Sequence, residues 1–107
     1  MKAFVKEITW FPAISLSHGW GNGYVIIPKG HKLHGKQYDD IDVSVHGGLT
    51  FSESASELDW PEIPEDSKDG WVVGFDTCHY GDNQSSWTKR AVQREAERLR
   101  KQLMKIS

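Results

Sequence analysis

The chain has 107 residues, a formal charge of −2 and a single cysteine, Cys78. That length suits one domain over residues 1–107, with one core and little chain left for a second. No apolar run is long enough to span a bilayer. One cysteine excludes an internal disulfide framework and an all-cysteine zinc site. The opening Met1-Lys-Ala-Phe-Val-Lys-Glu7 lacks the apolar run of a signal peptide, so a reducing cytoplasm is the expected compartment.

The near-neutral charge hides two opposed blocks. Residues 53–69 carry seven acids against one base, a balance of −6. Residues 87–107 carry seven bases against two acids, a balance of +5. The blocks could attract each other within the fold or between copies. A basic helix could touch nucleic acid, but one such helix on an acidic domain more often has a solvated face, and nucleic acid is not the expected partner.

In chain order, residues 3–11 are rich in β-branched and aromatic side chains and predict a first strand, ended by Pro12, with a short continuation over 13–17. Residues 18–23, His-Gly-Trp-Gly-Asn-Gly, predict a glycine-rich turn carrying Trp20. No Gly-Lys-Ser/Thr follows, so this is not a phosphate-binding P-loop. Residues 24–28 predict a short apolar strand starting at Tyr24. The next loop holds Lys29, His31, Lys32, His34 and Lys36, a set that could wrap an anion.

Residues 41–46 alternate, with Ile41, Val43 and Val45 on one face and Asp42, Ser44 and His46 on the other. They predict a strand. Gly47-Gly48 then predicts a two-residue hairpin turn. That register pairs His46 with Leu49, Val45 with Thr50 and Ser44 with Phe51. It puts Phe51 on the face of His46, as a ligand platform or part of a second packing layer. The polar, acidic 52–70 segment predicts a long loop with one helical turn near 54–58, anchored by Trp60. Residues 71–75, Trp-Val-Val-Gly-Phe, are apolar on both faces and predict a central strand, with Gly74 allowing close approach. A polar loop over 77–86 precedes a helix over 87–105. Val92, Ala96, Leu99, Leu103 and Ile106 give that helix one apolar stripe, and Ser85 or Ser86 is the expected N-cap. The fold class is therefore α+β: a small, mostly antiparallel sheet with one long C-terminal helix packed on it.

Two places concentrate chemistry. His46 stands at the lip of a turn beside Gly47 and Gly48, where it could hydrogen-bond a ligand, move a proton or ligate a metal. Asp76, His79 and Asp82 follow the central strand at intervals of three. Asp76 could orient the His79 imidazole, or these residues could ligate a metal with His46. The spacing matches no particular metal site, and no metal or cofactor is expected. Cys78 lacks a matched base and is not expected to be a nucleophile. The aromatic residues Trp20, Tyr24, Tyr38, Phe51, Trp71, Phe75 and Tyr80 exceed what a small core needs, so some should line a cavity and stack on a flat ring. With lysines nearby, a nucleotide-like ligand suits both inventories.

The motifs Gly21-Asn-Gly-Tyr-Val25, Ile27-Pro-Lys-Gly-His31, Tyr38-Asp-Asp-Ile41, Val45-His-Gly-Gly-Leu-Thr-Phe51 and Trp71-Val-Val-Gly-Phe-Asp76, with His79, Gly81 and Asp82, carry a resemblance. Over residues 21–82 the chain resembles a group of small bacteriophage and prophage proteins. The resemblance implies a phage accessory protein acting in the host bacterial cytoplasm. By analogy with small phage inhibitors of host defence, it would sequester or degrade a nucleotide signal.

The expected function is thus binding of a nucleotide-derived small molecule by Trp20, Tyr24, Lys29, His31, Lys36, His46, Gly47, Gly48, Phe51, Asp76, His79 and Asp82. Self-association through the helix or a sheet edge would complete the pocket. One alternative is a phosphodiesterase with His46 and His79 as base and acid. Another is a protein-binding inhibitor using the acidic 53–69 segment.

Overall fold

The computed structural model describes residues 1–9 and 18–106. The expected end of the first strand and its continuation over 13–17 lie outside the described residues. Over the described residues the architecture is α+β, as expected: a four-stranded antiparallel sheet with one helix packed against it. The strands are β1 (Lys2–Glu7), β2 (Gly21–Ile27), β3 (Phe51–Ser54) and β4 (Trp71–Phe75), in the order β1-β2-β4-β3. The helix is α1 (Lys89–Lys105). Among the described residues, no helix is long and apolar enough to cross a membrane.

Alternation along β2 and β4 gives the sheet two dry faces. Val25, Ile27, Val73 and Phe75 face α1, whose stripe of Val92, Ala96, Leu99 and Leu103 is buried against them. Leu99 and Leu103 are fully buried, each contributing roughly 1.5–3 kcal/mol of apolar burial. Ile106, the last residue of the expected stripe, caps the helix and is half-buried. On the other face, Phe4, Tyr24, Gly74 and Phe51 fall in one row across all four strands. A Cβ at Gly74 would run into the Tyr24 ring, so the expected close approach at this glycine is made by an aromatic side chain. Trp60 covers the row, stacked on Phe51 at 5.5 Å and edge-on to Tyr24 at 4.9 Å.

The 53–69 segment is therefore the lid of this second face. It begins as β3, makes 3-10 turns at Ala55–Glu57 and Glu65–Ser67, and buries Ala55 and Ile63 beside Trp60. Its charge does not meet the basic helix. Glu62 pairs with Lys6 at 3.0 Å, while Arg98 and Arg100 pair with Glu95 and Glu97 of their own helix.

Two local expectations are corrected first. The 21–23 stretch is strand, not turn. Its glycines serve packing, since a Cβ at Gly23 would run into the Phe75 ring and one at Gly21 into the Lys6 carbonyl. The N-cap is Thr88, whose hydroxyl accepts the Ala91 N–H at 3.2 Å. Ser85 and Ser86 instead donate their backbone N–H groups to Asn83 Oδ1, which ends the preceding loop.

The largest correction concerns 41–46. The faces are as expected, with Ile41 and Val45 buried and Val43 packed beside them. The segment is nevertheless no strand of the sheet. It runs beside α1, and helix side chains satisfy its backbone. Gln102 accepts the Ser44 N–H and donates to the Ser44 carbonyl, both at 2.8 Å. Glu95 accepts the His46 N–H at 2.8 Å. The expected hairpin pairing is replaced by a turn in which Gly48 N–H meets the Val45 carbonyl at 2.8 Å, while Thr50 N–H goes to the Gly74 carbonyl. Gly47 and Gly48 do take positive φ, 68° and 79°.

Candidate functional site

β2 and β4 are antiparallel, so the start of β2 and the end of β4 share one end of the sheet. The 76–82 loop leaves from that end. The 45–48 turn arrives there along α1, and the two meet. His46 Nε2 lies 2.9 and 3.0 Å from the two oxygens of Asp82. His79 Nδ1 lies 3.2 Å from Asp82 Oδ2 and 3.5 Å from Asp76 Oδ1. The two imidazole rings stand 5.3 Å apart and nearly perpendicular.

Each member is held in place. Asp82 Oδ2 accepts the His79 backbone N–H at 2.9 Å, and the Asp82 N–H returns to the His79 carbonyl at 2.9 Å. This small closed turn fixes the three-residue spacing that the sequence displays. Asp76 accepts from the Thr50 hydroxyl at 2.9 Å and from the Cys78 N–H at 3.0 Å. The His46 ring packs on Trp87 at 4.2 Å. The His79 ring sits where a Cβ on Gly47 would be.

Asp82 is buried, at 5% exposure, while His46 and His79 reach solvent. Burial alone pushes the Asp82 carboxyl up; hydrogen bonds from His46 and the His79 backbone outweigh it and hold the group below the usual carboxylate range. The Arg98 hydrogen bond lowers Glu95, burial opposes it, and the His46 N–H adds to the lowering. Burial pushes the Cys78 thiol up, and the negative charges of Asp76 and Asp82 push it further.

Beside the cluster lies a cleft of about 220 Å³ bordered by Asn22, Tyr24, Thr50, Phe51, Asp76 and Cys78. The expected site residues therefore divide. His46, Gly47, Asp76, His79 and Asp82 converge. Tyr24 and Phe51 line the cleft that Asp76 shares. Trp20 lies at the same end of the sheet, its backbone N–H bonded to the Trp87 carbonyl at 2.8 Å. Gly48 belongs to the turn but faces open space. Tyr80 is fully exposed at the loop tip.

Lys29, His31 and Lys36 do not join them. Their loop follows the far end of β2, where the Trp71 indole donates to the Lys36 carbonyl at 2.7 Å and His34 Nε2 lies 2.9 Å from the Asp69 carbonyl. Seven strand residues separate the two ends, about 20 Å at the usual rise. The single pocket joining the lysine loop to the histidines is corrected on that ground.

Sequence reasoning passed over Trp87, Glu95 and Thr50. Glu95 carried a readable signal, since it is an acid adjoining Ala96 at the edge of the apolar stripe. Trp87 gave none beyond its place before the helix.

The fold and site define a small α+β protein with a His-Asp-His cluster at one end of its sheet. No protein-family model matches the chain, and neither a curated protein nor a solved structure does.

Proposed function

We propose that the protein binds a nucleoside-like small molecule, with the flat ring in the cleft between Tyr24 and Asp76. The observation that carries this reading is the pairing, in one cleft, of an aromatic wall with a fixed carboxylate. Tyr24 and the half-buried Phe51 border the cleft and give it aromatic lining for a flat ring. Asp76 is anchored by Thr50 and Cys78 and can accept from ring or exocyclic N–H groups, and the Asn22 amide can donate or accept. A cleft of about 220 Å³ holds a base-sized group rather than a whole dinucleotide. The rest of a larger ligand would extend over His79 and Tyr80. In a bacterial host cytoplasm, the setting that the phage resemblance implies, the ligand would be a nucleotide-derived signal and the role its sequestration.

Titration calorimetry with adenosine, guanosine, cyclic dinucleotides, ADP-ribose and inorganic phosphate tests this. Nucleosides and their derivatives should bind and phosphate alone should not. Asp76→Ala should weaken binding about tenfold, the loss of a charge-assisted hydrogen bond. Absence of binding by every nucleoside and nucleotide would sink the reading.

A second reading, hydrolysis of a phosphodiester by His46 and His79, draws support from the two imidazoles sharing one orienting carboxylate. Chromatography of ligand after incubation separates the two. Unchanged ligand favours binding; products that vanish in His46→Ala favour hydrolysis.

A further inference from the structure

We infer that His46, His79 and Asp82 form a binding site for a divalent first-row transition-metal ion, with Asp76 at its edge. One ring nitrogen of His46, one of His79 and an Asp82 oxygen all lie within 4.8 Å of one another. In a tetrahedral site with metal–nitrogen bonds of 2.0–2.1 Å, neighbouring ligand atoms sit about 3.4 Å apart. Here the His46–Asp82 and His79–Asp82 separations are 2.9 and 3.2 Å. These two pairs need to part by only about half an ångström or less to surround an ion.

The charge arrangement calls for a cation. Asp76 and Asp82 both face His79 Nδ1, at 3.5 and 3.2 Å. Asp82 also accepts from His46 and the His79 backbone N–H, and Asp76 from Thr50 and Cys78, so what an ion would add is opposite charge. Among the described residues, neither aspartate pairs with a lysine or arginine. A divalent ion would neutralise both and replace the shared proton.

The surroundings already orient the donors, as the layer around a metal site must. Trp87 and Glu95 hold His46, the Gly47 α-carbon seats His79, and Thr50 and Cys78 hold Asp76. Two imidazoles and one or two carboxylates favour zinc-like ions over magnesium or calcium, which prefer all-oxygen sets. The partial exposure of both histidines leaves a path in and an open position.

This inference stands whether or not a nucleoside binds, since the ion would bind the protein alone. It also bears on the cleft. An ion here would supply positive charge toward a ligand phosphate, which the lysine loop at the other end of the sheet does not.

Chelator-treated protein titrated with Co²⁺ and followed by visible absorption, with Zn²⁺ competition, provides the test. We expect one saturable equivalent. His46→Ala, His79→Ala and Asp82→Asn should each weaken it at least about tenfold, while His34→Ala should leave it unchanged. Circular dichroism reports whether each variant folds. In wild-type protein, Co²⁺ should broaden the histidine NMR signals of His46 and His79 before those of His31 and His34, so the test survives a variant that fails to fold. No saturable binding, binding unaffected in folded histidine variants, or broadening confined to His31 and His34 would overturn the assignment.

Discussion

The imidazole of His79 rests directly on the α-carbon of Gly47, in the space a Cβ would take. Gly47 is thus required twice, for its φ of +68° and for the seat it leaves. Gly48 is required once, because its Cβ direction is open and only its φ of +79° is unusual. Gly48→Ala should cost about 1–2 kcal/mol of stability, the left-handed penalty. Gly47→Ala adds overpacking, for a total of about 2–4 kcal/mol. It should also displace His79. Urea denaturation gives the energies, and the His79 ring resonances report the displacement. Equal costs for the two variants would contradict this account.

Asp82 accepts from two imidazoles and a backbone amide while nearly sealed from water. Asp82→Ala should therefore cost about 2–4 kcal/mol at neutral pH, through unpaired donors and lost geometry. The folded-state pKa is depressed. The carboxylate's contribution is then fully present above the unfolded aspartate value, about 3.9, and is lost as pH falls through the folded value. The gap between wild type and Asp82→Asn should narrow in acid. Denaturation curves from pH 7 down to about pH 3, spanning that range, measure it; a gap that widens would refute the assignment.

Gln102 takes the place of a neighbouring strand for Ser44. Gln102→Ala should cost about 1–2 kcal/mol, two solvent-accessible hydrogen bonds' worth. The Ser44 amide should exchange faster with solvent, and the amides of β2 and β4 should not. Amide hydrogen exchange of the variant distinguishes this local loosening from general destabilisation, which would accelerate all of them.

The Cys78 thiol borders the cleft, and burial together with two nearby carboxylates raises its pKa. Its alkylation by iodoacetamide at mildly alkaline pH should be slower than that of a free cysteine, because less thiolate is present. Asp76→Asn should shift the rate profile to lower pH, since removing a negative charge favours the thiolate. A profile unmoved by that change would show that the Asp76 charge does not set the reactivity.

Much of the fold is local and was readable as such. The stripe from Val92 to Leu103 needs only helical periodicity, and the apolar run of β4 needs only its position between polar loops. The positive φ of Gly47 and Gly48 follows from two glycines between an alternating segment and a β-rich one. Residues 41–46 show where local reading stops. Their alternation is the same whether the backbone pairs with a strand or with side chains of a helix. Ile41, Val43 and Val45 lie on the face that their alternation predicts, yet the backbone partners of Ser44 and His46 are Gln102 and Glu95 of the helix.

For the site, the sequence determined the residue types: a histidine at a glycine turn, and an Asp-His-Asp run at spacings that close a small turn. Tertiary structure decided what those residues do together. His46 and Asp82 are 36 positions apart, and nothing in either segment specifies the 2.9 Å contact between them. It exists because β2 and β4 are antiparallel, which brings the 76–82 loop to one end of the sheet, and because α1 carries the 45–48 turn to that same end. The same geometry sent Lys29, His31 and Lys36 to the opposite end, leaving a site whose charge is set by carboxylates and imidazoles.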